Sequence, residues 1–323
     1  MRRRCLLATT LILGLGCDKA RELVPGNGAK AQAAEVPAAA QLDLSTRPAI
    51  LFQIYGERDD PRMIPVGVLR NGTIEAIVLG AAGWRQFDAF YGKAGTQYTV
   101  YDGGRAIGRA TVRQGMWEEG RDQLYTLPAC NLLIPQSAMT LGAGIGSNYT
   151  VTLFAASKPL RDASRASMSG AEAEVIARAI GAKLAAQAGV GAGEVAALDV
   201  RAVALNTGAT GNPTVVATFM DKRADEQSAA GEQTLHMFVV ADRPSGAAGY
   251  QVTFSHIGRG EASDVDFRRL VDQIDVNDDG VTELALEGWK FGGDTYALFL
   301  QYRNGAWNEV FRSRPSWCLD AGT

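Results

Sequence analysis

Histidine is almost missing from this chain. Only His236 and His256 occur in 323 residues, each in or beside an apolar strand-like run that suits a structural ring better than a catalytic one. There is no His-Glu-x-x-His, no Gly-x-Ser-x-Gly and no Cys-x-x-Cys, so the zinc and nucleophilic chemistries that carry those signatures lack their markers here. Charge of one sign is also lacking. The formal net charge is -3, with no Lys/Arg stripe, which gives the chain no electrostatic reason to bind nucleic acid. Long apolar runs are absent too, and the mean hydropathy of -0.05 excludes a multi-span membrane protein. Glu118 and Glu119 are adjacent acids in a Gly-flanked segment and read as a solvated turn.

What is present begins at the N-terminus. Residues 1–16 have a basic start (Arg2, Arg3, Arg4) and a short apolar core, too short to remain as a spanning helix, and read as an export signal. Loss of those three arginines takes the net charge from -3 to -6. Gly14-Leu15-Gly16-Cys17 resembles a bacterial lipobox, with the customary Leu one place early at Leu13. That resemblance implies cleavage before Cys17, acylation of its thiol and attachment to a membrane that the chain does not cross. An ordinary cleaved signal, cut near Ala29-Lys30-Ala31, is the alternative. Residues 17–46 are rich in Ala, Gly, Pro, Lys and Glu without apolar periodicity and read as a tether with a reach on the order of 30 Å.

Four cysteines occur in all. With Cys5 in the signal and Cys17 as the lipid site, Cys130 and Cys318 remain, the arithmetic of one disulfide in an oxidising compartment. Two separate buried thiols are the other reading.

Residues 47–156 are β-rich. Asn71-Gly72 and Gly103-Gly104 fall between alternating runs and mark tight hairpins. Leu141 to Ser147 is Gly-rich but precedes a strand pattern, so it reads as a connection and not a phosphate cradle. Residues 157–323 contain one clear helix, Ala171 to Ala188, with Ser169 and Glu172 at capping-box spacing and apolar stripes at Val175, Ala179, Ala182 and at Ile176, Ile180, Leu184. Strand patterns follow it, and Asn304-Gly305 marks a last hairpin. The expected fold is α+β: an N-terminal antiparallel β domain, then one helix packed on a C-terminal antiparallel sheet.

The stretch with most chemical content is Asp275-Val276-Asn277-Asp278-Asp279-Gly280-Val281-Thr282-Glu283. Oxygen ligands at alternate positions and a glycine where the backbone must turn are what a hard cation such as calcium requires. Asp275, Asn277 and Asp279 supply side chains, Val281 a carbonyl and Glu283 a further carboxylate. An EF-hand would need Glu at its twelfth position, where this chain has Leu286. Asp275-x-Asn277-x-Asp279-Gly280-x-x-Glu283-Leu284 resembles instead the acidic loop of FG-GAP or VCBS-type repeats, which lies between two strands of a propeller blade and binds calcium. The resemblance covers about one hairpin and a single copy, so it implies the metal loop and not the propeller. A solvated acidic turn is the plain alternative. Trp289, Phe291 and Tyr296 just beyond the loop fit either the edge of a core or a stacking surface for glycan or protein.

Together these features predict an exported, lipid-anchored protein of the bacterial cell envelope, facing the periplasm or the exterior. It is expected to be a non-enzymatic binding or assembly module with one structural calcium, partnered by the membrane and by an envelope protein or glycan. The rival expectation is an envelope hydrolase acting on glycan or peptide through carboxylates dispersed in sequence.

Overall fold

The computed structural model describes residues 42–116, 136–146, 148–221, 233–290 and 295–313. The described residues form one compact unit, built as three antiparallel sheets. The first begins with β1 (Ala49–Glu57), β2 (Arg62–Arg70) and β3 (Thr73–Glu75), and after helix α1 (Ala81–Phe87) continues with β4 (Gln97–Asp102), β5 (Arg105–Gln114), β6 (Ser137–Leu141) and β7 (Thr150–Ala156). Its order is β1-β7-β4-β5-β6-β2-β3, and β1 also pairs with β2. Six strands therefore close into a ring, and β3 is appended as a flap. Closure removes the free edges that an open sheet would present.

The inside of the ring is filled by its own side chains. Ile50, Phe52, Ile54, Val100, Val112 and Met139 pack with Trp84 and Phe87 of α1 and with Tyr91 from the π-turn that follows it. Rings of Phe52, Phe87 and Tyr91 stand 4.7–6.3 Å apart at tilted angles, the geometry that aromatic quadrupoles favour.

Two helices follow, α2 (Gly170–Gln187) and α3 (Ala192–Ala197). Then come two four-stranded meanders: β8 (Leu198–Leu205), β9 (Thr214–Asp221), β10 (Gln233–Asp242), β11 (Gln251–Glu261), and β12 (Phe267–Ile274), β13 (Glu283–Trp289), β14 (Thr295–Arg303), β15 (Ala306–Arg312). Leu284, Leu286, Leu298 and Leu300 of the second meander pack on Val216, Phe238 and Val240 of the first. Ala285, Ala297 and Phe299 on its other face pack on Leu51, Tyr101 and Phe154 of the ring. The second meander is thus a middle layer, and β14, buried at six successive positions, reads as a nearly unbroken apolar run for that reason. The opposite face of the first meander is covered by α2.

The α+β expectation is corrected by this arrangement. Half of the described residues are strand and 15% are helical, so the fold is β-rich, with three sheets and few helices. The reading of one helix on one C-terminal sheet merged two sheets into one, because strand patterns do not say which strands share a ladder. Helix α2 does carry the capping box, with Ser169 and Glu172 bonded reciprocally. Its buried face, however, is Ala173, Ala177, Gly181 and Ala185, while Val175 is 70% exposed. Small residues win that face because the helix lies close to the sheet: a Cβ on Gly181 would come 2.3 Å from Phe219. Among the described residues no helix is long and apolar enough to cross a membrane.

Candidate metal centre

The acidic stretch forms the eight-residue connection between β12 and β13, with Glu283 opening β13. Alternation of side chains brings Asn277, Asp279 and Glu283 together: Asn277 Nδ2 donates to Asp279 Oδ2 at 2.9 Å and to Glu283 Oε1 at 3.2 Å. Backbone amides of the loop donate to the same groups. Gly280 N–H donates to Asp275 Oδ2 (3.0 Å), Asp279 N–H to Asn277 Oδ1 (2.9 Å), Val281 N–H to Asp279 Oδ1 (2.7 Å) and Val276 N–H to Glu283 Oε2 (3.0 Å). Gly280 has φ +84°, the left-handed turn that glycine takes without strain.

Two of the acids are buried. Asp275 is 2% exposed, and its Oδ1 is buried with no hydrogen-bond partner. A buried carboxylate oxygen without a donor is costly and marks a place where a cation fits. Glu283 is equally enclosed, and its Oε1 also accepts from Gln301 Nε2 at 2.8 Å. Burial first, and then the negative charges of Asp279 and Asp275, push its carboxyl up to about 7. Asp275, Asn277, Asp279 and Glu283 thus gather on one loop with the Asn277 amide nitrogen turned toward Asp279 and Glu283, and the buried Asp275 Oδ1 is the oxygen that an added cation would satisfy. Among the described residues, no three His, Cys, Asp or Glu side chains are gathered tightly enough to hold a metal by themselves; the loop would rely on an amide and backbone oxygens as well.

Contacts fix the loop from several sides. Arg161, in the segment between β7 and α2, bridges to Asp275 through its backbone, and its guanidinium lies 3.2 Å from Asp278 Oδ1. Three residues before Asp275, a bulge at Val271 swings Asp272 inward, where Oδ1 accepts the N–H of Gly104 in the β4–β5 turn at 2.7 Å. The second Asp272 oxygen is buried without a partner, and burial pushes this carboxyl up to about 7 as well. Sequence reading missed Arg161, Asp272 and Gln301. Gln301 meets Glu283 one step beyond the Leu284–Leu300 pair, a contact that needs the β13–β14 register; Arg161 lies more than a hundred residues away and left no signal.

The β8–β9 connection of the first meander is also eight residues long, Asn206 to Pro213, and occupies the corresponding place. Its sixth residue is again a glycine with positive φ, Gly211 at +73°. It contains no acid. Where Glu283 opens β13, Thr214 opens β9, and its hydroxyl donates to Asp242 Oδ1 at 2.6 Å and meets Thr207 Oγ1 at 2.7 Å. Asp242 Oδ2 accepts from Thr253 Oγ1 (2.5 Å) and from Trp307 Nε1 of the second meander (2.8 Å). The two loops touch: Thr282 N–H donates to Thr207 O at 2.9 Å, and a Cβ on Gly208 would come 2.5 Å from Gly280 O.

Tyr296 is taken up by packing, whereas Trp289 is partly buried and lines a cavity with Arg269 and Leu270. Trp289 stacks on Phe267 and carries the Arg269 guanidinium over its ring, and Tyr296 is buried with its hydroxyl donating to Asp266. His236 is fully buried, its Nε2 accepting the N–H of Arg268, and burial pushes it down to about 3. Cys17, Cys130, Cys318, Glu118, Glu119 and Phe291 lie outside the described residues.

Fold and site together define a β-rich protein in which a closed six-stranded ring backs two stacked meanders, one bearing an acidic interstrand loop. Comparison with known proteins gives no matching family model, no matching curated protein and no matching solved structure.

Proposed function

We propose that this protein is an exported, lipid-anchored component of the bacterial cell envelope, acting as a non-enzymatic binding or assembly module whose 275–283 loop is braced by one calcium ion. Asp275, Asn277, Asp279, the Val281 carbonyl and Glu283 hold the ion, and Cys17 carries the lipid. The observation that carries the calcium reading is the buried Asp275 Oδ1 without a donor, in a loop where three other oxygen-bearing side chains already converge. The two acids raised to about 7, Asp272 and Glu283, are enclosed in the interior, which supports a structural use for them. The anchor rests on the lipobox-like sequence before Cys17.

Thermal melting with calcium and with chelator tests the metal. An ion at about a hundred times its dissociation constant stabilises the fold by about 2.7 kcal/mol. Asp275→Asn and Asp279→Asn abolish that difference, and identical curves for the natural protein in both buffers sink the calcium reading. For the anchor, Cys17→Ser releases the protein from membranes; retention there sinks it.

A further inference from the structure

The acidic loop carries a cation of its own. Arg161 is fixed in place by its backbone bridge to Asp275. Its neighbours are tied to the ring: Asp162 Oδ1 accepts the N–H of Ala106, and Ala163 N–H donates to Gly104 O at 2.7 Å. From that position the half-exposed side chain reaches over the loop. Nη1 lies 3.9 Å from Asp275 Oδ2 and stands where a Cβ on Gly280 would come within 3.1 Å, while Nε lies 3.2 Å from Asp278 Oδ1. Asp278 has φ +60° and is 80% exposed, so it faces away from Asn277, Asp279 and Glu283 and holds the guanidinium at the rim. A planar guanidinium with five donors neutralises acids from outside, yet it is too large to take an ion's place among them. Inside, Asp275 Oδ1 stays unsatisfied.

Building on the calcium reading above, we propose that Arg161 sets the loop's affinity for divalent cations by standing as a resident positive charge at its mouth. Without an ion it offsets the crowding of Asp275 and Asp278, so the loop folds metal-free. With an ion it repels, since both positive charges share Asp275. Even with the screening of bulk water, a unit charge about 4–6 Å from a divalent ion shifts affinity by about tenfold.

The test is calcium titration by calorimetry on the full chain, comparing the natural protein with Arg161→Gln and Arg161→Lys, with melting in chelator as the folding control. Arg161→Gln binds about tenfold tighter and melts lower without ion, while Arg161→Lys stays near the natural affinity. Equal or weaker binding by a folded Arg161→Gln overturns the proposal and leaves the calcium reading standing. Binding by Arg161→Gln alone supports it. Absence of binding in all three proteins, each folded, overturns the calcium reading and the proposal with it.

Discussion

The two interstrand loops of the meanders are the same length, turn on a glycine at the same position and touch one another, yet they solve one problem in opposite ways. Each must enclose polar groups where a strand begins inside a stack of sheets. The β8–β9 loop does so with hydrogen bonds alone: Thr207, Thr214, Thr253 and Trp307 all converge on or toward Asp242. The β12–β13 loop leaves an oxygen of Asp275 unmatched and holds Glu283 where its charge is disfavoured. One site is complete as built, and the other keeps a buried oxygen that neither its own amides nor Arg161 satisfies. Loop length and turn chemistry thus fix the path of the backbone, while the identity of four or five side chains decides whether an ion has a reason to bind.

Substitutions in the two loops should therefore behave differently. Asp242→Ala removes the acceptor shared by Thr214, Thr253 and Trp307 and is expected to cost about 3–5 kcal/mol, equally with calcium and with chelator, by denaturant melting. A cost that calcium repairs would mean the neutral loop also binds metal. Gly208→Ala combines a φ of +78° with a Cβ only 2.5 Å from Gly280 O, and is expected to cost about 2–4 kcal/mol and to blunt the calcium response of the adjacent loop. Gly211→Ala, at a similar φ but with open space around it, should cost no more than about 1–2 kcal/mol; parity between the two would show that the loops are not mechanically joined.

Glu283→Gln should split the loops further. Above pH 7 the natural side chain is charged in an enclosed site, so in chelator the amide is expected to melt at or above the natural protein, by roughly 1–2 kcal/mol, while losing the calcium response. A large loss of stability in chelator would mean that the carboxylate is satisfied without an ion. The last comparison concerns Asp272. Its folded pKa, about 7, lies above the unfolded carboxyl value, so its protonated form stabilises the fold below about pH 4 and that stability is lost as pH rises to about 7. His236, pushed down to about 3, acts in the other direction and costs stability as pH falls below about 6.5. The measure is therefore the difference between Asp272→Asn and the natural protein in urea midpoints across pH 4–7.5. The natural protein should lose ground to the variant as pH rises, and parallel curves would refute the raised carboxyl.

The acidic loop was legible because its spacing is local: alternate side chains, one glycine and the following strand all fall within nine residues. Hairpin turns at Asn71-Gly72, Gly103-Gly104 and Asn304-Gly305 were legible for the same reason, and all six residues have positive φ. Helix α2 was readable at its cap, but its buried face was not, since nothing in Val175 tells that the sheet comes too close for a branched side chain. Helix α1 left a trace in the spacing of Trp84, Phe87 and Tyr91 that the surrounding strand patterns masked. The neutral loop carries no acid to draw attention, and its kinship with the acidic one appears only when both are seen opening the second strand of a meander. Closure of the ring and the split into two meanders depend on pairings between distant strands, which local patterning does not encode.

That closure has a mechanical consequence. β1 is the first strand of the fold, and it is laced along most of its length to β2 on one side and to β7 on the other. Any pull delivered through the residues before Ala49 meets two ladders at once, and must shear both before the ring can open. A chain held at its front end is thereby gripped at a strand fastened on both sides, while the acidic loop sits downstream of that grip, sheltered from the load.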